Sequence, residues 1–268
     1  MARAPQSPSK QHQKRRKQRS AEQQPAAASR HQDWLYGRHA VLAALQNPQR
    51  HIDKLYVTSN ARKEIETNTE QTGLRPISST ISEISALLPP GAVHQGIAAK
   101  VRPLPELTLE ELPLDLPVIV LDQVTDPHNV GAILRSGAVF NASALIMTRR
   151  NSPPLTGVLA KSACGALEHV NVIYVGNLAQ ALKTLGKIGF WRLGFAGEAP
   201  AAFESSSSLQ DSHRPVAVVL GAEDKGLRRL TKEQCDEVCH ISTGGSLSSL
   251  NVSNAAAIAL HTLSQAKS

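Results

Sequence analysis

Three short polar runs at the margins of apolar stretches hold the residues best suited to chemistry. The run from Leu247 through Ser248, Ser249, Leu250, Asn251, Val252 and Ser253 to Ala255 sets a Ser/Asn cluster at the mouth of an Ala-rich helix, just after Gly244-Gly245. Glycine-rich backbone entering a helix leaves amides and carbonyls open to a ligand, and a Ser or Asn cap occupies only some of them. Taken alone, the same pattern also describes a Gly-Gly turn feeding a capped structural helix. A second run, Leu121 to Ser136, leaves the apolar stretch Pro117 to Leu121 and enters a helical pattern that carries Asn129 and Arg135. The third, Leu220-Gly221-Ala222-Glu223-Asp224-Lys225-Gly226-Leu227, follows the apolar run Val216 to Leu220. In open parallel sheets the loops beyond the carboxyl ends of strands form the ligand crevice, so loops placed this way converge on one site.

The elements that must position these loops alternate in type. After Pro103, Pro105, Pro113 and Pro117, which mark a linker, apolar periodicity predicts strands at 118–121, 144–148, 172–175, 191–196 and 216–220. Helices are predicted at 130–140, 155–164 and 178–188. Thr231 with Gln234 offers a capping box for another helix, Val238 to Ile241 a last strand, and Ser253 to Ser264 a closing helix. Phe203 to Pro215, with its Ser run, reads as a surface loop. The pattern is that of a mostly parallel sheet with helices on its faces. Upstream, Trp34 to Leu45 reads as a turn into a short helix stopped by Asn47-Pro48. Strands at 52–57, 74–77 and 92–101 and helices at 61–71 and 79–88 complete a small α/β domain. The expected division is a basic tail over 1–32, a small domain over 33–103, a linker over 104–116 and a larger domain over 117–268.

Bulk composition bounds the function. No apolar run approaches the ~18 residues of a membrane span, so a soluble, cytoplasmic protein with no membrane partner is expected. Cys164, Cys235 and Cys239 form no even framework and read as reduced thiols. Cys235, Cys239 and His240 fall short of a closed tetrahedral zinc site, so no metal is expected. The net charge of +7 resides entirely in residues 1–32, where eight Lys and Arg face Glu22 alone. That tail, rich in Gln, Ser, Ala and Pro, is expected to be disordered and either to attract a phosphate backbone or to act as a solubilising arm; scarce acids also fit a transit peptide, against which stands its lack of an apolar face. The body is near neutral and must bind a polyanion through local patches.

The three runs in order resemble the three sequence motifs of the SpoU (TrmH) family of RNA ribose 2′-O-methyltransferases. The likeness spans nearly all of the chain beyond the first thirty residues. Gly37-Arg38-His39-Ala40-Val41 and His94-Gln95-Gly96-Ile97-Ala98 look like signatures of the RNA-binding domain found in ribosomal-RNA members; without the resemblance, His94 and Gln95 would be ordinary turn residues. The resemblance implies an α/β fold in which a small N-terminal RNA-binding domain precedes a trefoil-knotted (SPOUT) methyltransferase domain that pairs as a homodimer. It implies S-adenosylmethionine (AdoMet) as methyl donor and RNA as partner, with a guanosine of 23S rRNA the expected target and tRNA the alternative. Donor contacts then fall at Gly221, Ile241 and Leu250; for the last two, plain core packing is the other use. Arg135 matches the arginine of the first motif and is the leading catalytic candidate, and Asn129, Glu223, Ser249 and Asn251 match the other polar positions of the three motifs. Glu223 would fix either the loops or Arg135, while Ser249 with Asn251 would bind substrate or hold the knot. Asn129 and Asn251 stand at helix starts, where capping is the alternative. The chain departs from the motifs at Asp224, where glycine is usual, and at Ser242-Thr243, where Pro-Met is usual. Arg149 and Arg150 also lie past a strand end, as phosphate contacts or as a solvated basic loop.

Other classes fit less well. Scarce aromatics count against a purely RNA-binding protein with stacking platforms. No G-x-G-x-x-G follows the first strand of the larger domain, which disfavours a dehydrogenase, and Gly221 to Lys225 makes no P-loop.

Overall fold

The computed structural model describes residues 33–150, 152–153, 159, 162–211, 213–245 and 250–266. The basic tail, Ser249 and most of the helix expected at 155–164 lie outside these residues.

The N-terminal domain comprises β1 (Trp34–Tyr36), α1 (Arg38–Gln46), β2 (Ile52–Val57), α2 (Ser59–Thr72), β3 (Ile77–Ser78), α3 (Ile81–Leu87) and β4 (Ile97–Val101). Its sheet runs in the order β1-β4-β2-β3. The sequence reading missed β1, because Trp34, Leu35 and Tyr36 are all buried and show no alternation. The strand expected at 92–101 begins only at Ile97. Gln95 (φ 54°) and Gly96 (φ 79°) are consecutive left-handed residues, and Ile97 N–H closes the turn onto His94 O at 3.0 Å.

His94 and Gln95 do more in this turn than the bare residues suggested. His94 is only 5% exposed; its Nδ1 accepts from Gly96 N–H at 3.1 Å, so Nε2 carries the proton toward Ser85 Oγ at 3.0 Å. Gln95 Oε1 accepts from Arg38 N–H at 3.1 Å. It thereby caps α1, whose own N-cap, Gly37, has no side chain to offer. The two N-terminal signatures thus hold each other. Burial pushes the His94 imidazole below its ordinary 6.5, since desolvation disfavours the charged ring. A group depressed in the folded state contributes fully above its unfolded pKa and loses that contribution as pH falls through its folded value. Wild-type stability is therefore expected to fall more steeply than that of His94→Gln below about pH 6.5, as urea titrations at pH 7.5 and 5 would measure; parallel losses would clear His94 of the effect.

The C-terminal domain is built on β5 (Val118–Asp122), β6 (Ala144–Thr148), β7 (Asn171–Val175), β8 (Trp191–Phe195), β9 (Ala201–Ala202), β10 (Val216–Gly221) and β11 (Glu237–His240). They form one sheet in the order β7-β6-β5-β10-β8-β11-β9, every described pairing parallel. Ile119 and Leu121 face one core, with α4 (Pro127–Val139) and α7 (Val252–Ala266). Val118 and Val120 face the other, with α5 (Leu178–Lys187). Burial on both faces explains why the strands read as unbroken apolar runs.

Two expectations are corrected here. Thr231 does not cap a helix: it lies buried inside the short α6 (Arg229–Lys232), and its N–H donates to Arg228 O at 2.9 Å. That leaves no free amide for a capping box at Thr231. The stretch after Ala202 is not wholly a surface loop either. Phe203, Ser206 and Ser208 are buried, with Ser206 Oγ donating to Glu237 Oε2 at 2.9 Å, so the serine run is held by a carboxylate from β11.

The domains dock around a buried ion pair. Arg50 grips the Glu168 carboxylate with Nε (3.0 and 3.1 Å) and Nη2 (2.8 Å), and Asn47 Nδ2 adds a bond at 2.8 Å. The two charged side chains are 7% and 1% exposed. Beside them, a Cβ on Gly165 (φ 89°) would meet Ala43 Cβ at 2.7 Å and His39 O at 3.1 Å, so α1 presses directly on this turn. Leu167 packs against both domain cores.

Candidate active site

Parallel register brings the first two polar loops together. Leu220 pairs with Leu121 and Gly221 with Asp122, so β5 and β10 end flush and their loops emerge side by side. Asp122, fully buried, ties them: its carboxylate accepts from Arg228 N–H at 3.0 Å and Arg228 Nε at 2.7 Å. Sequence reasoning missed this pair, since Asp122 sits at the end of an apolar strand and its partner lies 106 residues away. The third loop arrives from the far side of β10, because the chain after β11 returns so that α7 packs on α4 and β10.

At the meeting point Glu223 is the hub. Its Oε1 accepts from Asn129 Nδ2 at 3.0 Å, from Asn251 Nδ2 at 2.5 Å and from Val252 N–H at 3.4 Å, while Asn251 Nδ2 also reaches Asn129 Oδ1 at 3.1 Å. The capping alternatives separate. Asp126 caps α4, accepting from His128 N–H at 2.9 Å with Pro127 in the first turn, which frees the Asn129 amide for the cluster. Asn251 does both: its Oδ1 accepts from Ser253 N–H at 2.9 Å and Ser253 Oγ at 2.5 Å, while its amide nitrogen faces Glu223.

Gly221, Ile241 and Leu250 line one cleft beside this hub, together with Phe195, Val252 and Ala255. Apolar walls of this kind suit a flat heterocycle. Backbone packing by itself requires glycine at 221. A Cβ there would lie 2.2 Å from Gly226 C and 2.5 Å from Leu227 N, because the chain folds back in a tight turn with Gly226 N–H on Ala222 O at 2.7 Å. Gly226 supplies the left-handed residue of that turn (φ 57°), and Asp224 has no positive φ, so the departure from glycine at 224 strains nothing. Ser242 Oγ donates to Glu204 Oε2 at 2.9 Å and Thr243 lines the cleft.

Arg135 stands apart from the cluster. Six residues beyond Asn129 on α4, it lies about 9 Å further along the axis and 120° around it. It is exposed, and among the described residues no carboxylate pairs with it. Glu223 therefore fixes the loops rather than Arg135. Burial pushes the Cys235 and Cys239 thiols up to about 12, which keeps both protonated and poor metal ligands.

The description "SpoU rRNA Methylase family" matches residues 117–261, which take in all three loops. The chain belongs to that family. Residues 34–107 match the substrate-binding domain of RNA 2′-O ribose methyltransferases. Membership makes the SpoU chain an AdoMet-dependent RNA 2′-O-methyltransferase. It is 40% identical over 244 residues to the 23S rRNA (guanosine-2′-O-)-methyltransferase RlmB of Photorhabdus laumondii, covering 84% of this chain and 95% of that one. It is 38% identical over 242 residues to an uncharacterized tRNA/rRNA methyltransferase of Synechocystis sp., covering 85% of this chain but only 61% of the relative. The SpoU methyltransferase AviRb of Streptomyces viridochromogenes, solved with AdoMet, shares the fold at a TM-score of 0.71 and 20% identity, over 87% of this chain and 89% of that one.

Glu223→Ala would remove the acceptor shared by three donors from two other loops, leaving Asn251 Nδ2 only its bond to Asn129 Oδ1. Hydrogen bonds to an exposed carboxylate contribute about 1–2 kcal/mol, so AdoMet affinity is expected to drop roughly 5- to 30-fold in a calorimetric titration. Unchanged affinity would show that the loops hold the cleft without their hub.

Proposed function

We propose that this protein transfers the methyl group of AdoMet to the ribose 2′-oxygen of a guanosine in 23S rRNA, in the cytoplasm. The observation that carries this reading is the Asn129–Glu223–Asn251 cluster, formed by three chain-distant motif loops beside one cleft. Residues 33–103 hold the RNA, 104–116 link, and 117–268 perform the transfer, with residues 1–32 adding a basic arm. Among the described residues no helix is long and apolar enough to cross a membrane.

Gly221, Ile241 and Leu250 hold the donor, the backbone reading its polar edge and the apolar side chains flanking the adenine. AdoMet, when bound, supplies an electrophilic methyl group on a sulfonium. Asn129, Ser249 and Asn251 orient the nucleotide against it, and placement of oxygen, carbon and sulfur in line supplies much of the acceleration. Arg135 is a poor proton acceptor, so the 2′-hydroxyl proton passes to solvent water as the oxygen–carbon bond forms and the carbon–sulfur bond breaks. Its guanidinium holds an RNA phosphate and the 2′-oxygen and stabilises negative charge developing there.

The C-terminal segment threads as a trefoil knot, a reading supported by its return from β11 to α4 and β10. Two chains pair through the α4/α7 face. Support for pairing comes from Val139, 70% exposed at the end of α4, and Ile258, 39% exposed on α7. Val139 is one helical turn beyond Arg135, so pairing would bring Arg135 to the interface margin. Mapping ribose methylation across total RNA with and without the protein tests the reading. A missing mark at one 23S guanosine is expected; a missing mark in tRNA alone would overturn the target.

A further inference from the structure

Between the domains runs a groove of about 530 Å³, far larger than the cleft beside Glu223 and separate from it. One wall is the free edge strand β7, with Asn171 and Tyr174; the other is the end of β4 and the linker, with Arg102 and Glu106. We propose that this groove carries the RNA strand flanking the methylated nucleotide, with Tyr174 and Arg149 forming a platform on which one base stacks. The inference rests on RNA being the substrate and assigns it a path.

Four observations point to RNA. The Arg149 guanidinium lies 5.4 Å from the centroid of the Tyr174 ring, and an aromatic face beside a guanidinium plane suits any base without regard to sequence. Tyr174 is held in place, its hydroxyl donating to Pro153 O at 3.3 Å. Arg149 is 68% exposed and its ion pair with the still more open Glu106 is long, at 4.0 Å, so a phosphate can replace that carboxylate. Arg150 is exposed, and among the described residues has no carboxylate partner.

The groove also leads to the right place. Met147 pairs with Leu121 on one side and Tyr174 on the other, so the chain leaves β6 toward Arg149 about one strand spacing, ~4.8 Å, from the end of β5. A strand lying along β7 is therefore delivered to the end of the sheet where Asn129 and Glu223 meet. At the opposite lip, Asp33 lines the groove. In sequence it directly follows the 32 residues that carry the whole net positive charge, and such a charge attracts a phosphate backbone.

The test uses the full chain and unmethylated 23S rRNA transcribed in vitro. Loss of one base–aromatic stack costs roughly 5- to 150-fold in affinity. Tyr174→Leu is expected to raise the KM for RNA by that factor with AdoMet affinity unchanged, and Tyr174→Phe, which keeps the ring, to stay within about twofold. Photo-crosslinking of the wild-type chain to thiouridine-substituted transcript should label the peptide containing Tyr174, which decides the matter if Tyr174→Leu fails to fold. A wild-type KM in Tyr174→Leu, or crosslinks that avoid the groove, would overturn the proposal. Occupation of the groove by the chain's own basic tail would appear as protein–protein crosslinks there and would overturn it too. Absence of methylation by the wild-type chain would sink the functional reading and leave the RNA crosslink to decide the groove.

Discussion

Arg135→Ala abolishes methyl transfer while donor affinity stays near that of the wild type. The expected loss is at least ~10²-fold in single-turnover rate, the size seen when one preorganised donor to a developing oxyanion is removed. The side chain is exposed, and no carboxylate among the described residues depends on it. Folding stability should therefore move by no more than about 0.5 kcal/mol, which separates chemistry from structure in one variant. Arg135→Lys keeps the charge and loses the planar fork, and should recover only part of the rate. Wild-type turnover in Arg135→Ala would remove the guanidinium from the mechanism.

Glu168→Ala carries the largest expected effect on stability. It leaves Arg50, only 7% exposed, with its charge uncompensated between two domains, and removes an acceptor from Asn47. Breaking a buried pair on one side costs about 3–5 kcal/mol, a large share of the roughly 5–15 kcal/mol that holds a domain folded. Urea unfolding should report that loss. The double variant Arg50→Met, Glu168→Leu replaces charge by apolar volume and should recover most of it, since such swaps are often neutral. Equal losses in the single and double variants would show that the cost lies in packing around Leu167 rather than in the unpaired charge.

The fate of particular residues shows what was legible beforehand. The parallel domain could be read from its apolar runs, because strands buried on both faces leave a continuous signal. Asn129, Glu223 and Asn251 could be picked out through the motif resemblance, yet their bonding could not, since the partners are up to 122 residues apart. Capping illustrates the limit: one rule applied to two asparagines, and Asp126 displaced it at the first while the second obeyed it and joined the cluster as well. Gly221 was expected at the donor contact and does line the cleft, but the close approach of the Gly226 and Leu227 backbone, which also bars a Cβ there, had no local sign. Asp122 and Glu168 escaped notice for a shared reason: each is defined by a distant partner, and local pattern carries no trace of it. Thr231 failed in the opposite sense, a local signature overruled by the turn that Arg228 begins.

The division of the cleft along the chain sets an order of assembly during synthesis. Leu250, Val252 and Ala255 complete it, whereas the N-terminal sheet closes at Val101. At elongation rates of about 5–20 residues per second, the two events are separated by roughly 7–30 s. A nascent chain therefore passes through a stage in which the RNA-holding module is finished and no pocket for the methyl donor exists, so any early encounter with a transcript is chemically silent until the closing helix has seated.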